Sequence, residues 1–178
     1  VARSGGKSTE GERRVVCGVV RQTDPPAWRV VALARQAEAL GFTHGYTFDS
    51  HVLWQEPFVI YSAMLAATSE MVVGPMVTNP GTRDWTVIGS LFATLNDMYG
   101  ERTVCAIGRG DSAMRVIGHK PCNLATLEAS TGGTKGLAEG DAVEYSGTTQ
   151  ALRWRHERSR PAWMAAYAPE APHPCGRK

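Results

Sequence analysis

Short apolar runs alternate with stretches of helical periodicity along most of the chain, and this alternation limits the fold more than any other feature. Residues 15–20 and 71–77 are continuously apolar and rich in β-branched side chains, which is typical of strands buried on both faces. Strands separated by helices predict an α/β fold with a parallel sheet and right-handed crossovers. Periodicity alone does not distinguish a barrel from an open sheet with helices on both faces.

The alternation can be followed through five predicted strands. They occupy residues 15–20, 42–48, 71–77, 103–107 and 161–167, with helices predicted at residues 25–40, 57–68, 84–98 and 123–139. The last helix contains Gly132 and Gly133, and because glycine lowers helix stability we expect an interruption there. Residues 143–145 and 148–154 predict a small hairpin.

Composition indicates one globular unit and excludes several classes of protein. The chain has 178 residues, of which 43% are hydrophobic and 20% charged, enough to bury a sizeable core. The net charge of +2 is too small to indicate a nucleic-acid-binding surface. No apolar run is long enough to cross a membrane, and residues 1–14 lack the apolar segment of a secretory signal. We expect a disordered polar tail over residues 1–14, one folded unit over residues 15–171 and an atypical tail over residues 172–178.

The cysteines give no sign of a metal or disulfide framework. Cys17, Cys105, Cys122 and Cys175 form no C-x-x-C pair, and no histidine stands at zinc-finger spacing. We therefore expect no metal site. Reduced, structural cysteines are typical of a cytoplasmic compartment.

Polar residues cluster directly after three of the predicted strands. The second strand is followed by Asp49, Ser50 and His51, the third by Thr78 and Asn79, and the fourth by Gly108, Arg109, Gly110 and Asp111. Ligands of parallel α/β folds bind at the carboxyl ends of the strands. The three clusters therefore predict a single site on one face of the molecule.

Each cluster also has an interpretation that needs no such site. One interpretation makes Asp49 or Ser50 the N-cap of the next helix, with His51 a bystander, whereas a functional imidazole would transfer protons near neutral pH. Residues 108–113 fit the G-x-G-x-x-A dinucleotide fingerprint, with Glu128 near the position of a ribose-binding acid. An NAD-binding Rossmann domain stays an alternative, although no predicted strand ends at Glu128, which counts against it. The plain interpretation is a tight strand-to-helix turn.

Several segments, taken in order, match the motifs of one family. Residues 74–83 resemble the segment G-P-x-V-T-N-P-x-T-R, and residues 93–96 and 107–111 resemble the A-T-L-(D/N) and I-G-x-G-(D/E) segments that follow it. Residues 34–42 resemble the family's first helix, and residues 163–167 its fifth strand. Over residues 15–171 the chain thus resembles the luciferase-like oxidoreductases that use a flavin or coenzyme F420, a class that includes the methylenetetrahydromethanopterin reductases.

The resemblance implies a TIM-like (β/α)8 barrel. A complete barrel needs about 250 residues, so this chain would contain roughly the first four to five βα units. The implied cofactor is coenzyme F420 or FMN, without a choice between them, and the implied partner is a small-molecule substrate. The reaction is hydride transfer at the cofactor ring, followed in some members by oxygen activation.

The resemblance also assigns roles to individual residues. A non-prolyl cis peptide would join Met76 and Val77 and form a bulge against the ring. The implied cofactor-binding residues are Asp49, Met76, Val77, Thr78, Asn79, Gly108, Gly110 and Ala168; His51 and Asp111 would handle protons, and Trp54 and Arg83 would line the substrate pocket. Two departures stand out: Ser50 separates Asp49 from His51, and residues 168–170 are Ala-Pro-Glu where the family has Gly-Pro-Lys. Glu170 would place a negative charge where a phosphate is expected.

Besides the NAD-binding Rossmann domain, two functions remain open. The first is a luciferase-like oxidoreductase. The second is a catalytically inactive half barrel, whose first and fifth strands are open edges. Such a chain would form homo-oligomers or associate with a partner that supplies the missing half.

Overall fold

The computed structural model describes residues 18–21, 26–155 and 162–165. The elements in chain order are β1 Gly18–Arg21, α1 Ala27–Ala39, β2 His44–Thr47, α2 Pro57–Ala67, β3 Val72–Pro75, α3 Trp85–Tyr99, β4 Val104–Ile107, α4 Asp111–Arg115, α5 Leu124–Glu139, β5 Val143–Tyr145, β6 Thr148–Gln150 and β7 Ala162–Ala165. The tails predicted over residues 1–14 and 172–178 lie outside the described residues.

Five strands form a parallel arc that follows the order of the chain. β1 pairs with β2, β2 with β3, and β4 with β7, all in parallel. β3 and β4 are joined by two parallel bridges, Val73 with Thr103 and Thr78 with Ile107. The Rossmann alternative needs a second strand that ends near Glu128, after the fingerprint that follows β4. Glu128 lies within α5 instead, and α5 is followed by the antiparallel hairpin of β5 and β6, so this alternative is wrong.

The helices pack against one another in the same sequential manner. α1 contacts α2, α2 contacts α3, and α3 contacts α5. In a doubly wound sheet the helices are divided between the two faces, whereas in a barrel they form one outer layer. The described residues therefore form part of a TIM-like barrel, as predicted. The predicted hairpin is also present, as antiparallel β5 and β6.

The core lies between the arc and its layer of helices. Its most deeply buried side chains come from α2, α3 and the strands, and they include Tyr61, Leu65, Met71, Val73, Ile88, Phe92, Cys105 and Ile107. Phe58 contacts Tyr61 and Phe92 with its ring edge-on to both, at centroid distances of 5.4 and 5.8 Å. The contact of Phe58 with Phe92 ties α2 to α3.

The interruption predicted within α5 is wrong, since the helix runs unbroken through both glycines. Gly133 faces Trp85 so closely that a Cβ atom there would lie 2.8 Å from the indole ring. The absence of a side chain thus allows α5 to approach α3. Burial against the indole offsets the low helix propensity of glycine, which sequence periodicity does not register.

One extra residue makes β3 bulge away from β4. Between the two bridges, the segment that contains β3 advances from residue 73 to 78, whereas the segment that contains β4 advances only from residue 103 to 107. The extra residue is the mark of a β-bulge, which bends a strand locally. The peptide between Met76 and Val77 lies inside this bulge and is cis, as the family resemblance implied.

Gly74 should be intolerant of any side chain, because a Cβ atom there would lie 1.8 Å from the carbonyl oxygen of Val104. The clash is with backbone, so a rotamer change cannot relieve it. We expect Gly74→Ala to lower the free energy of unfolding by about 2 kcal/mol or more, measured by urea denaturation. Gly132→Ala is the control: it meets nothing within 4 Å and should stabilise the helix by up to about 1 kcal/mol. Equal stability of Gly74→Ala and the wild type would contradict this account.

Candidate active site

A cleft of about 200 Å³ opens at the carboxyl ends of β2, β3 and β4. It is lined by Phe48, Asp49, Ser50, Met76, Val77, Asn79, Gly108, Arg109, Gly110, Asp111, Ser112 and Ala113. The three polar clusters predicted from the sequence meet here, because parallel pairing brings the three strand ends together. Asp49, Asn79 and Asp111, far apart in the chain, face one cavity.

Most of the residues implied by the family resemblance line this cleft. Asp49, Met76, Val77, Asn79, Gly108, Gly110 and Asp111 belong to its walls. Thr78 is fully buried directly behind them. Ala168 lies outside the described residues.

Besides Thr78, three of the implied residues do not belong to the cleft lining. His51 is exposed on the turn after β2, and Trp54 is half-buried further along that turn. Arg83 contacts the cleft only through Asp49. It lines instead a groove of about 1030 Å³ formed by α2, α3 and the hairpin.

That groove is much larger than the cleft, but it is mostly lined by apolar side chains on the outer faces of α2 and α3. The cleft gathers polar groups from three strand ends, where parallel α/β folds bind their ligands. The candidate active site is therefore the cleft.

Asp49 is held in the wall by two other side chains. The Thr78 hydroxyl donates to Oδ2 over 2.7 Å. Arg83 donates from Nε to Oδ2 over 2.9 Å and from Nη2 to Oδ1 over 3.1 Å. Arg83 Nη2 also donates to Glu56 Oε2 over 2.5 Å. Burial by itself would lower the pKa of Arg83, but its hydrogen bonds and charge pairs with Asp49 and Glu56 raise it above its ordinary value, so the guanidinium stays charged.

The N-cap interpretation of Asp49 and Ser50 is wrong. The cap of α2 is Glu56, whose Oε1 accepts from the Phe58 N–H over 3.1 Å. The Ser50 hydroxyl lies 3.0 Å from the hydroxyl of Ser112, at the start of α4. The two residues thus connect the end of β2 to its neighbouring strand ends, and neither begins a helix.

Asn79 presents an oriented amide to the cleft. Its Oδ1 accepts from the Gly81 and Thr82 N–H groups and from the Thr82 hydroxyl, at 3.1, 2.9 and 3.1 Å. Because the oxygen is used by the turn, the amide nitrogen is the group left to donate to a ligand. Gly110 packs against this amide with φ +81°, and a Cβ atom there would lie 2.7 Å from Asn79 Cγ.

Arg109 is the cation of the cleft lining, and it is fixed in place. Its Nε donates to the Cys122 carbonyl over 2.8 Å, while the Cys122 N–H donates to the Arg109 carbonyl over 3.0 Å. The hydrogen bond found for its side chain thus uses Nε, which leaves the two terminal nitrogens for an anionic group. Among the described residues Asp111 pairs with Arg115 over 3.4 Å, and because both side chains are exposed this pair screens the charge of Asp111 weakly.

Sequence reasoning gave no role to five residues that line the cleft, namely Phe48, Ser50, Arg109, Ser112 and Ala113. Each lies within two positions of a residue that was given a role. Position at a strand end is therefore the signal that would have found them. The motif comparison singled out only the positions that carry a family pattern.

The cleft suits an organic ligand that has both a flat apolar surface and a polar edge. Phe48, Met76, Val77 and Ala113 supply apolar walls, and the groups described above supply donors and acceptors. Within the part of the chain that the structure describes, no three His, Cys, Asp or Glu side chains are grouped to hold a metal ion. No helix in that part has the length and apolar character needed to span a bilayer.

Comparisons with a family model and with curated proteins identify similar relatives of this chain. The family model for luciferase-like monooxygenases matches residues 4–174. The 5,10-methylenetetrahydromethanopterin reductase of Methanolobus tindarius is 24% identical over 154 residues, which is 82% of this chain and 46% of that protein.

Two solved structures share the fold. The coenzyme F420-dependent tetrahydromethanopterin reductase of Methanopyrus kandleri superposes with a TM-score of 0.67 at 20% identity, over 84% of this chain and 46% of the other. The oxygenating constituent of 3,6-diketocamphane monooxygenase from the CAM plasmid of Pseudomonas putida, in complex with FMN, has a TM-score of 0.63 at 14% identity, over 83% and 48%.

The chain spans about half the length of these relatives. At such identities the solved structures show a shared fold, and the family follows from the match to the family model, which covers nearly the whole sequence. The chain belongs to the luciferase-like monooxygenase family.

Proposed function

We propose that this chain carries the ring-binding half of an oxidoreductase and holds FMN or coenzyme F420 in the strand-end cleft for hydride transfer. The observation that carries the proposal is the convergence of Asp49, Asn79 and Asp111 on one cleft with apolar walls. The names of the relatives point to F420 for the Methanopyrus kandleri reductase and to FMN for the Pseudomonas putida protein. The titration below decides between the two cofactors.

The residues of the cleft fit a flat ring. Gly108 and Gly110 leave room along one wall, and Met76 and Val77 form an apolar surface on another. The volume of about 200 Å³ is smaller than the roughly 300–1,000 Å³ of most small-molecule sites. The cleft would therefore hold the ring, with the rest of the cofactor outside it. When bound, the cofactor supplies the hydride chemistry, and the protein supplies orientation and electrostatics.

Individual side chains would have distinct tasks. The Asn79 amide nitrogen would donate to the polar edge of the ring. The exposed Asp111 carboxylate would exchange a proton with the substrate at the mouth of the cleft, with His51 as a second candidate from the neighbouring turn. Arg109 would bind a phosphate or carboxylate through its two terminal nitrogens, a geometry that suits such anions.

Titration with FMN and with F420, followed by fluorescence, tests the cofactor. We expect saturable binding of one of the two by the wild-type chain. Gly110→Ala should weaken that binding about tenfold or more, or about 1.4 kcal/mol, because its Cβ would displace the Asn79 side chain. A melting curve for the variant separates this effect from unfolding. Absence of binding by the wild type to both cofactors would overturn the proposal.

Removing the candidate proton groups tests their roles. We expect Asp111→Asn and His51→Ala each to lower the rate of hydride transfer, by about 100-fold for a group acting as general acid or base. Both side chains are exposed, so the melting temperature should change little. The rate is measured from the absorbance of the reduced cofactor. If only one of the two variants is slower than the wild type, the proton transfer is assigned to the residue replaced in that variant.

The role of Arg109 can be tested by comparing FMN with riboflavin, which lacks the phosphate. If the chain binds flavin, we expect the wild type to prefer FMN, and Arg109→Gln to weaken FMN binding about tenfold with riboflavin binding unchanged. Lys120→Gln is the control, because Lys120 is an exposed cation outside the lining of the cleft. An equal loss for FMN and riboflavin would show that Arg109 does not act on the phosphate.

The second candidate function, a half barrel that acts only by association, is favoured by its open edges. Among the described residues, β1 and β7 each have a single neighbouring strand. On α1, Trp28 and Leu40 are 70% and 71% exposed. These edges would pair with the remaining strands of a barrel, in a longer polypeptide or in a second chain. A colourless oligomer that binds neither cofactor, found by light scattering, would favour this function over the first.

A further inference from the structure

Asp49 lines the cleft, yet it has almost no capacity left to bind a ligand. Its side chain is fully buried, and three donor atoms from Thr78 and Arg83 occupy its two oxygens. A carboxylate offers about four acceptor positions, and these three donors use most of them. The hydrogen bonds of Asp49 are instead directed into the protein, toward the wall of the cleft.

Thr78 is the part of that wall that Asp49 holds. It follows directly after the bulge at Met76 and Val77. Its N–H donates to the Ala106 carbonyl over 2.9 Å, and its carbonyl accepts from the Gly108 N–H over 2.8 Å. The hydroxyl bond from Thr78 to Asp49 therefore ties the end of β2 to the ends of β3 and β4.

Arg83 fixes Asp49 from the other side. Its guanidinium bridges Asp49 and Glu56, the cap of α2, and lies 4.8 Å above the Phe58 ring. Only 17% of the Arg83 side chain is exposed. The pair joins residues 34 positions apart in the chain and connects the cleft wall to the start of α2.

We propose that Arg83 is a positioning residue, which holds the cleft wall formed by Met76, Val77 and Thr78 in place through the buried carboxylate of Asp49. It thus acts through other residues instead of lining the substrate pocket. The planar fork of arginine is required, because Nε and Nη2 reach both oxygens of Asp49 while Nη2 also reaches Glu56. The effect on cofactor binding rests on the proposed function, whereas the effect on the wall does not.

The first measurement follows the wall itself, without any cofactor. Amide hydrogen exchange of Thr78 and Gly108 is compared with that of amides in the middle of α3, which corrects for a change in global stability. We expect Arg83→Gln and Arg83→Lys to raise this exchange ratio about tenfold. Glutamine removes the charge, and lysine keeps the charge but lacks the planar fork that binds both oxygens of Asp49. Thr78→Val, which removes only the hydroxyl donor to Asp49, is the milder variant and should raise the ratio for Gly108.

Arg102→Gln is the matched control. Arg102 is an equally well-bonded arginine near the opposite ends of the strands, where it donates to the carbonyls of Leu65, Thr68 and Tyr99 at 2.8, 3.1 and 3.2 Å. Its loss should lower the melting temperature. The exchange ratio at Thr78 and Gly108 should stay at the wild-type value.

The second measurement is cofactor affinity, together with the visible circular dichroism of the bound ring. Arg83→Gln should weaken binding about tenfold and alter the dichroism, and Arg102→Gln should change neither. An unchanged exchange ratio in the Arg83 variants, or the same change in Arg102→Gln, overturns the positioning role. So does unchanged affinity where the wild type binds. If the wild type binds neither cofactor, the proposed function fails, and the exchange ratio alone still decides the role of Arg83.

Discussion

Backbone hydrogen bonds between parallel strands place the carboxyl ends of β2, β3 and β4 along one edge of the arc, and the site depends on this constraint. Neighbouring parallel strands run in the same direction, so their carboxyl ends lie at the same edge of the sheet. The side chains that directly follow the strands therefore meet at that edge. Asp49, Asn79 and Asp111 belong to separate βα units, yet they line one cleft. The helices pack on the outside of the arc, where Phe58 and Phe92 contact each other within the core.

The shape of the cleft depends on the junction between β3 and β4. The strands come so close at Gly74 that no side chain fits there. Beyond Gly74, the β3 segment contains one residue more than the β4 segment and bulges away from it. The bulge turns Met76 and Val77 into the cleft while Thr78 returns to pair with Ala106 and Gly108. A regular ladder would continue the pleat and leave no cavity between these strand ends.

The positions of the strands, their ends and most of the cleft lining could be predicted from the sequence, because they depend on local patterns and on a general rule of parallel folds. The order of the strands was implied only by family resemblance, since periodicity does not distinguish a barrel from an open sheet. The cis peptide at Met76 was implied only by family resemblance, since no proline marks that bond. The pairing of Asp49 with Arg83 could not be predicted, because it joins residues 34 positions apart through a contact that no local pattern encodes. The unbroken course of α5 through Gly133 could not be predicted for the same reason, because this glycine packs against Trp85 on another helix.

The hydroxyl pair of Ser50 and Ser112 gives the cleft a weak seam beside its rigid wall. Both groups are neutral, Ser50 is buried and Ser112 exposed, and a hydrogen bond of this kind contributes about 1 kcal/mol. The ion pair behind Asp49 is charged, forked and buried, and it resists separation far more strongly. A ligand that enters between β2 and α4 would therefore break the hydrogen bond between the two serines before it breaks the pair of Asp49 with Arg83. The cleft would then widen on the side of α4.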